Sequence, residues 1–162
     1  MFQHPLYYSA YDPGFTMNDA NYIAWQQRNE DMAAAGFYTN QDAFMPTCYT
    51  FLKRSIDGSD LATRHGRFIR HTITETRRLI RKYGGPNVVV PFISWTLGAN
   101  GVTLVDHDIW EDTCRICYQE ADGFVLWGGF GVSWNTDKVR PWWLYLEGQL
   151  LSGRYWQDAV PR

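Results

Sequence analysis

Two hydrophobic periodicities take turns along this chain. Short apolar or alternating runs fall at 5–11, 43–51, 88–95 and 123–129, and longer stripes at helical spacing lie between and after them. The first run, Pro5 to Tyr11, is stopped by Asp12-Pro13-Gly14, a strong turn signal. Thr16 or Asn18 can then cap a helix that carries Tyr22, Ile23, Trp25 and Met32 to a stop at Gly36. The second run, Ala43 to Phe51, reads as a strand despite Pro46, which cannot donate to a ladder. Ser59 or Asp60 caps a long helix that ends near Gly84 and Gly85. Its apolar side holds Leu61, Phe68, Ile69, Ile73, Leu79 and Ile80, with His65 as a core histidine. Seven arginines and lysines between Arg64 and Lys82 fall largely on the other side, expected to be a solvated face.

The strongest strand signal is Val88 to Trp95, rich in β-branched and aromatic residues. A helix starting at Asp106 or Asp108 follows and carries Ile109, Trp110, Cys114, Ile116, Cys117 and Tyr118. Phe124, Val125 and Leu126 then make a wholly apolar run ending on Trp127, which reads as a strand buried on both faces. Pro141 opens a last helix, with leucines and aromatics through Tyr155. The order β-α-β-α-β-α-β-α predicts an α/β fold: residues 1–162 as a single (βα)4 domain, either half of an eight-stranded TIM-type barrel or an open parallel sheet flanked by helices. No Gly-x-Gly-x-x-Gly or Gly-x-x-x-x-Gly-Lys-Ser/Thr motif follows a strand, which removes the best support for a nucleotide site.

Composition changes this picture in a few places. The formal charge of −2 gives no basic footprint for nucleic acid. No apolar run reaches the roughly 18 residues of a membrane span, and Met1 to Pro5 lacks the basic and apolar regions of a signal peptide. The expectation is a soluble chain with no nucleic-acid or membrane partner. Three cysteines do not describe a disulfide framework. Cys114 and Cys117 have redox or metal spacing, yet they sit inside an amphipathic helix with no second pair, so core thiols are expected, with neither metal nor cofactor. Aromatic content is 17%, with eight Trp and ten Tyr, which suits cores, interfaces and sugar-stacking platforms alike.

The segment from Val88 to about Leu151 resembles the last two βα units of a hyaluronidase-type glycoside-hydrolase barrel. The residues that carry the likeness are Pro91 to Trp95, Asp122 to Gly128 with its apolar core ending Trp-Gly, and Trp143-Leu-Tyr-Leu146. The resemblance implies a sugar-cleaving fold in which Trp127 occupies the position of the family's cleft tryptophan. The family's acid-bearing Asp-x-Glu motif is absent from this sequence.

Glycoside cleavage usually needs two carboxyl groups flanking the bond. Asp12, directly after the first strand, is the candidate catalytic acid, with a turn-forming role as its alternative; Asp57 and Asp137 lie in later loops. Ser94 or Cys48 would need a nearby base to act as a nucleophile, and no histidine falls at a strand end. Tyr11, Tyr49, Trp95 and Trp127 each fall at or near a strand's carboxyl end, where they would bind a carbohydrate ligand by stacking. The alternative is a non-catalytic assembly protein whose aromatics meet other subunits. A half barrel leaves two open edges, so a second copy or another chain is expected to complete it. In that barrel Val89, Pro91, Ile93, Val125 and Trp127 would point inward by period-two alternation.

Overall fold

The computed structural model describes residues 20–38, 41–50, 60–97, 103–127, 140, 144, 147 and 148 of the chain. The expected first strand at 5–11 and the loops carrying Asp57 and Asp137 lie outside the described residues. Helix α1 spans Ala20–Ala34, α2 Leu61–Tyr83 and α3 His107–Glu120; strands β1, Phe92–Ser94, and β2, Val125–Trp127, pair in parallel. Arg140, Leu144, Glu147 and Gly148 are helical, where the last helix is expected.

A third extended segment lies along the other side of β1. Phe44 bridges Val89 and Thr47 bridges Phe92, both in parallel. The rungs are Phe44 N–H to Val88 O, Val90 N–H to Phe44 O, Phe92 N–H to Pro46 O and Cys48 N–H to Phe92 O. In that series residue 46 should donate to the Val90 carbonyl, and proline has no N–H to give. The rung is lost, and the segment is held by isolated bridges instead of a continuous strand. Pro91 does the same on the β2 side: its carbonyl accepts from Val125, but it donates nothing. The regular part of the 88–95 run is therefore only three residues long.

Residues 44–48, 88–94 and 122–127 thus lie side by side in chain order, and α2 packs against both α1 and α3. A doubly wound sheet reverses its order at a switch point. The described residues show no reversal, an order shared by a barrel-type sheet and by one half of a doubly wound one. Three parallel segments are described, not four.

Two of the helices stop at glycines. Helix α1 ends in a Schellman turn: Phe37 N–H reaches Met32 O, Gly36 N–H reaches Ala33 O, and Gly36 takes φ 81°, which costs a glycine nothing. Its buried stripe is Tyr22, Trp25, Asn29 and Ala33; Ile23, expected among the apolar residues, is exposed. Helix α2 ends at Gly84, also at positive φ, whose N–H bonds Ile80 O. Gly66 lets α3 approach closely, since a Cβ there would stand 3.0 Å from Ile116 Cδ1.

The basic side of α2 is largely not the free solvated face expected of it. Arg70 pairs with Glu120 at 2.8 Å, and Arg77 reaches both the Glu120 carbonyl and Asp122, tying α2 to the end of α3. Arg78 bonds Glu75 through two N–H groups and also Glu30 on α1, where Lys82 and Tyr83 converge. Glu75 is fully buried and further accepts from Gln26 and Asn29 of α1. A long helix flanked by two others has little free surface, so its arginines reach sideways to carboxylates on both neighbours.

Candidate functional site

The two faces of the sheet differ in what they meet. Phe44, Cys48, Val89, Ile93 and Trp95 join the apolar cluster built by α1, α2 and α3, and Leu126 packs against it. Thr50 continues that side, its hydroxyl 3.0 Å from Nε2 of His65 on α2. Phe92 is buried outside this cluster. Register places Phe92 beside Val125 and Ser94 beside Trp127, with Thr47 beside Phe92 on the other flank. Thr47, Phe92, Ser94, Val125 and Trp127 therefore share the face turned away from these helices, and alternation carries Tyr49 to it. The expected inward set mixed the two faces: Val89, Pro91 and Ile93 alternate with Phe92 and Ser94, so they belong to the opposite side from Val125 and Trp127.

Trp127 ends β2 and is 41% exposed, with its ring edge-on to Phe92 at 6.2 Å between centroids. Val125 and Leu126 are half-buried, so β2 is not enclosed on both faces; among the described residues it is an edge strand, paired on β1's side alone. Trp95, by contrast, is 6% exposed within the helix-side core, and its indole N–H has no partner among the described residues. Tyr49 is half-buried, and burial raises its phenol above the usual range. Tyr11 and Asp12 lie outside the described residues. The structure thus brings Tyr49 and Trp127 to one face and puts Trp95 on the other.

Above Phe92, Ser94 and Thr96 join their hydroxyls at 2.9 Å, and Thr96 N–H donates to Ser94 Oγ at 3.1 Å. An antiparallel bridge from Thr96 to Leu104, with Leu97 N–H to Thr103 O and Val105 N–H to Trp95 O, pins the ends of the following loop. This hydroxyl pair was not singled out as a binding element from sequence. Its signal was there in Ser94 and Thr96, two polar residues at one parity of an otherwise apolar run.

The remaining chemistry is structural. Cys48, Cys114 and Cys117 are free and buried, and desolvation raises all three thiols, so none is a ready nucleophile. Burial drives His65 down to about 3, keeping its ring neutral. His107 at the start of α3 faces Glu111 at 3.2 Å. No cluster of three or more His, Cys, Asp or Glu that could hold a metal occurs among the described residues, nor does any helix there have the length and apolarity to cross a membrane. A cavity of 240 Å³ lined by Ile23, Gln26, Gln27, Glu30 and Arg78 lies between α1 and α2, away from the strand ends. Its charged groups already bond one another, so we place the candidate site at the strand ends instead.

No family model and no curated protein matches the chain. Solved structures do. Bee venom hyaluronidase in a monoclinic crystal form matches with a TM-score of 0.54 at 19% identity, over 80% of this chain and 38% of that one. Bee venom hyaluronidase in complex with a hyaluronic acid tetramer matches with a TM-score of 0.52 at 20% identity, over 80% and 37%. The chain therefore spans less than two-fifths of the length of these structures. At this identity the likeness is one of fold alone, with a relation to the TIM barrel.

Proposed function

We propose that this chain is a carbohydrate-active, glycoside-hydrolase-like barrel segment that lines a glycan cleft with aromatics at the carboxyl ends of its strands. The observation that carries the reading is Trp127. Trp25, Trp95 and Trp110 are buried, whereas Trp127 ends a parallel strand with its ring 41% exposed and braced on Phe92. In α/β folds ligands bind at that end of the strands. An exposed indole braced by another ring is a preformed stacking surface for the C–H face of a sugar. The fold likeness to bee venom hyaluronidase, one structure of which holds a hyaluronic acid tetramer, makes hyaluronan oligosaccharides the ligand class to try. Tyr49 shares the face, and Tyr11 and Asp12 would follow the first strand. Trp127→Ala should keep the fold and weaken binding by about 1.5–3 kcal/mol, the range for exposing a large apolar side chain. Unchanged binding by titration calorimetry in a folded variant would remove Trp127 from the site.

A second reading is that Trp127 meets another chain in a non-catalytic assembly. It is favoured by β2 standing at the edge of the described sheet with an exposed aromatic at its end. Light scattering tests its self-assembled form: a monomer of 18.9 kDa at micromolar concentration excludes contact between copies of this chain.

A further inference from the structure

Resting on the glycan-cleft reading, we propose that the Ser94–Thr96 hydroxyl pair is the polar half of that site, donating one hydrogen bond to an acceptor oxygen of a sugar held on Trp127. Ser94 is register partner to Trp127 on the face turned away from the helices, so the hydroxyl and the indole are neighbours across two strands. The proton inventory of the pair decides its role. Two hydroxyls joined by one bond use one O–H and leave the other. Ser94 Oγ already accepts the Thr96 N–H. If Thr96 also donates its hydroxyl, both Ser94 lone pairs are filled and Ser94 can only donate outward.

Both residues are buried and either hydroxyl can donate in their mutual bond; Ser94 is the register partner of Trp127, so the outward proton is assigned to it. Neither hydroxyl has another partner among the described residues. One strand over, Thr47 lies on the same face, 5% exposed, and its hydroxyl has no partner among the described residues. Buried hydroxyls without acceptors are costly unless something completes them. Two of them on the face that carries Trp127 give a sugar what an indole cannot: a donor that fixes its orientation. The ligand group must be an acceptor, a hydroxyl, ring, carbonyl or carboxylate oxygen.

The test is calorimetric titration of the full chain with hyaluronan tetrasaccharide, alongside thermal melts. Ser94→Ala should weaken binding about three- to tenfold, the worth of one hydrogen bond, while Ser94→Thr, which keeps the hydroxyl, stays within about twofold. Thr96→Val frees a lone pair on Ser94 and should weaken binding less than Ser94→Ala; this variant also serves if Ser94→Ala fails to fold. Wild-type affinity in Ser94→Ala, or in Thr96→Val where only that variant folds, together with a loss in Trp127→Ala, overturns the hydroxyl pair and leaves the cleft reading standing. No binding by the wild-type chain, or full binding by Trp127→Ala, overturns both.

Discussion

Asp122 and Val89 exchange two hydrogen bonds: the Val89 N–H donates to Asp122 Oδ2 at 2.8 Å, and the Asp122 N–H donates to the Val89 carbonyl at 2.9 Å. The same carboxylate faces Arg77 of α2 at 3.2 Å. One side chain thus ties the second crossover helix to both strands at their amino-terminal ends, just below the break left by Pro91.

Asp122→Ala should therefore destabilise the fold by about 2–3 kcal/mol, because it strands a backbone donor and a charged one together. Asp122→Asn keeps an acceptor for Val89 and should cost less. Urea unfolding checks both, and equal loss in the two variants would locate the contribution in the charge alone.

Stability should fall on mild acidification. The His65 ring is held at about 3 by burial, against an ordinary value near 6.5. Between those values the unfolded chain binds a proton here and the folded chain does not, so stability falls as pH drops through that window. The slope from this group is at most about 1.4 kcal/mol per pH unit. Glu30 adds to it lower down. Hydrogen bonds from Lys82 and Tyr83, with Arg78 beside it, lower its carboxyl to about 2, so its contribution is present above 4.5 and is lost as pH falls toward 2. His65→Gln should flatten the loss above pH 4.5 and leave only the Glu30 contribution below it; an unaltered profile in a chemical-denaturation series would reject this origin.

The three thiols should stay unreactive in the native chain. Cys48, Cys114 and Cys117 are buried and their thiolates disfavoured. A disulfide-exchange reagent should label them only at the rate of unfolding. Fast labelling of any one before unfolding would contradict the buried placement.

Catalysis by the chain alone is expected to be weak or absent, since the sequence shows no Asp-x-Glu and no paired acids at a convincing spacing. Robust turnover of hyaluronan or chitin-type oligosaccharides, abolished by Asp12→Asn, would reverse this and make Asp12 the catalytic acid.

Much of the architecture was legible because period and punctuation agree. Helices α2 and α3 begin within a residue or two of the caps expected for them, and Gly36 and Gly84 stop helices as their position suggests. The likeness to a hyaluronidase barrel could be read from short apolar motifs at 91–95 and 122–128, and the match in fold supports it at that coarse level. Face assignment was harder. Alternation fixes which residues of one strand share a side, but the relative register of two strands fixes which sides coincide, and alternation within a single strand does not carry that register. The arginines of α2 were read as solvated because three of their partners, Glu30, Glu120 and Asp122, lie far away in sequence; Glu75 is only three residues from Arg78. Trp95 and Trp127 look alike as strand-end aromatics; only the register separates the core residue from the exposed one.

The two missing rungs at Pro46 and Pro91 have a consequence for how the molecule breathes. With proline interrupting the ladder on each side of the central segment, backbone pairing is thinnest in the sheet, and α2 with its flanking helices holds the longest unbroken run of hydrogen bonds. Amide protons of 68–80 should then outlast those of 88–94 in deuterium, with the helical layer as the last cooperative unit to open. If so, the strand ends above the prolines would open locally without unravelling that layer, and the binding face proposed at Ser94 and Trp127 would adjust to what it holds.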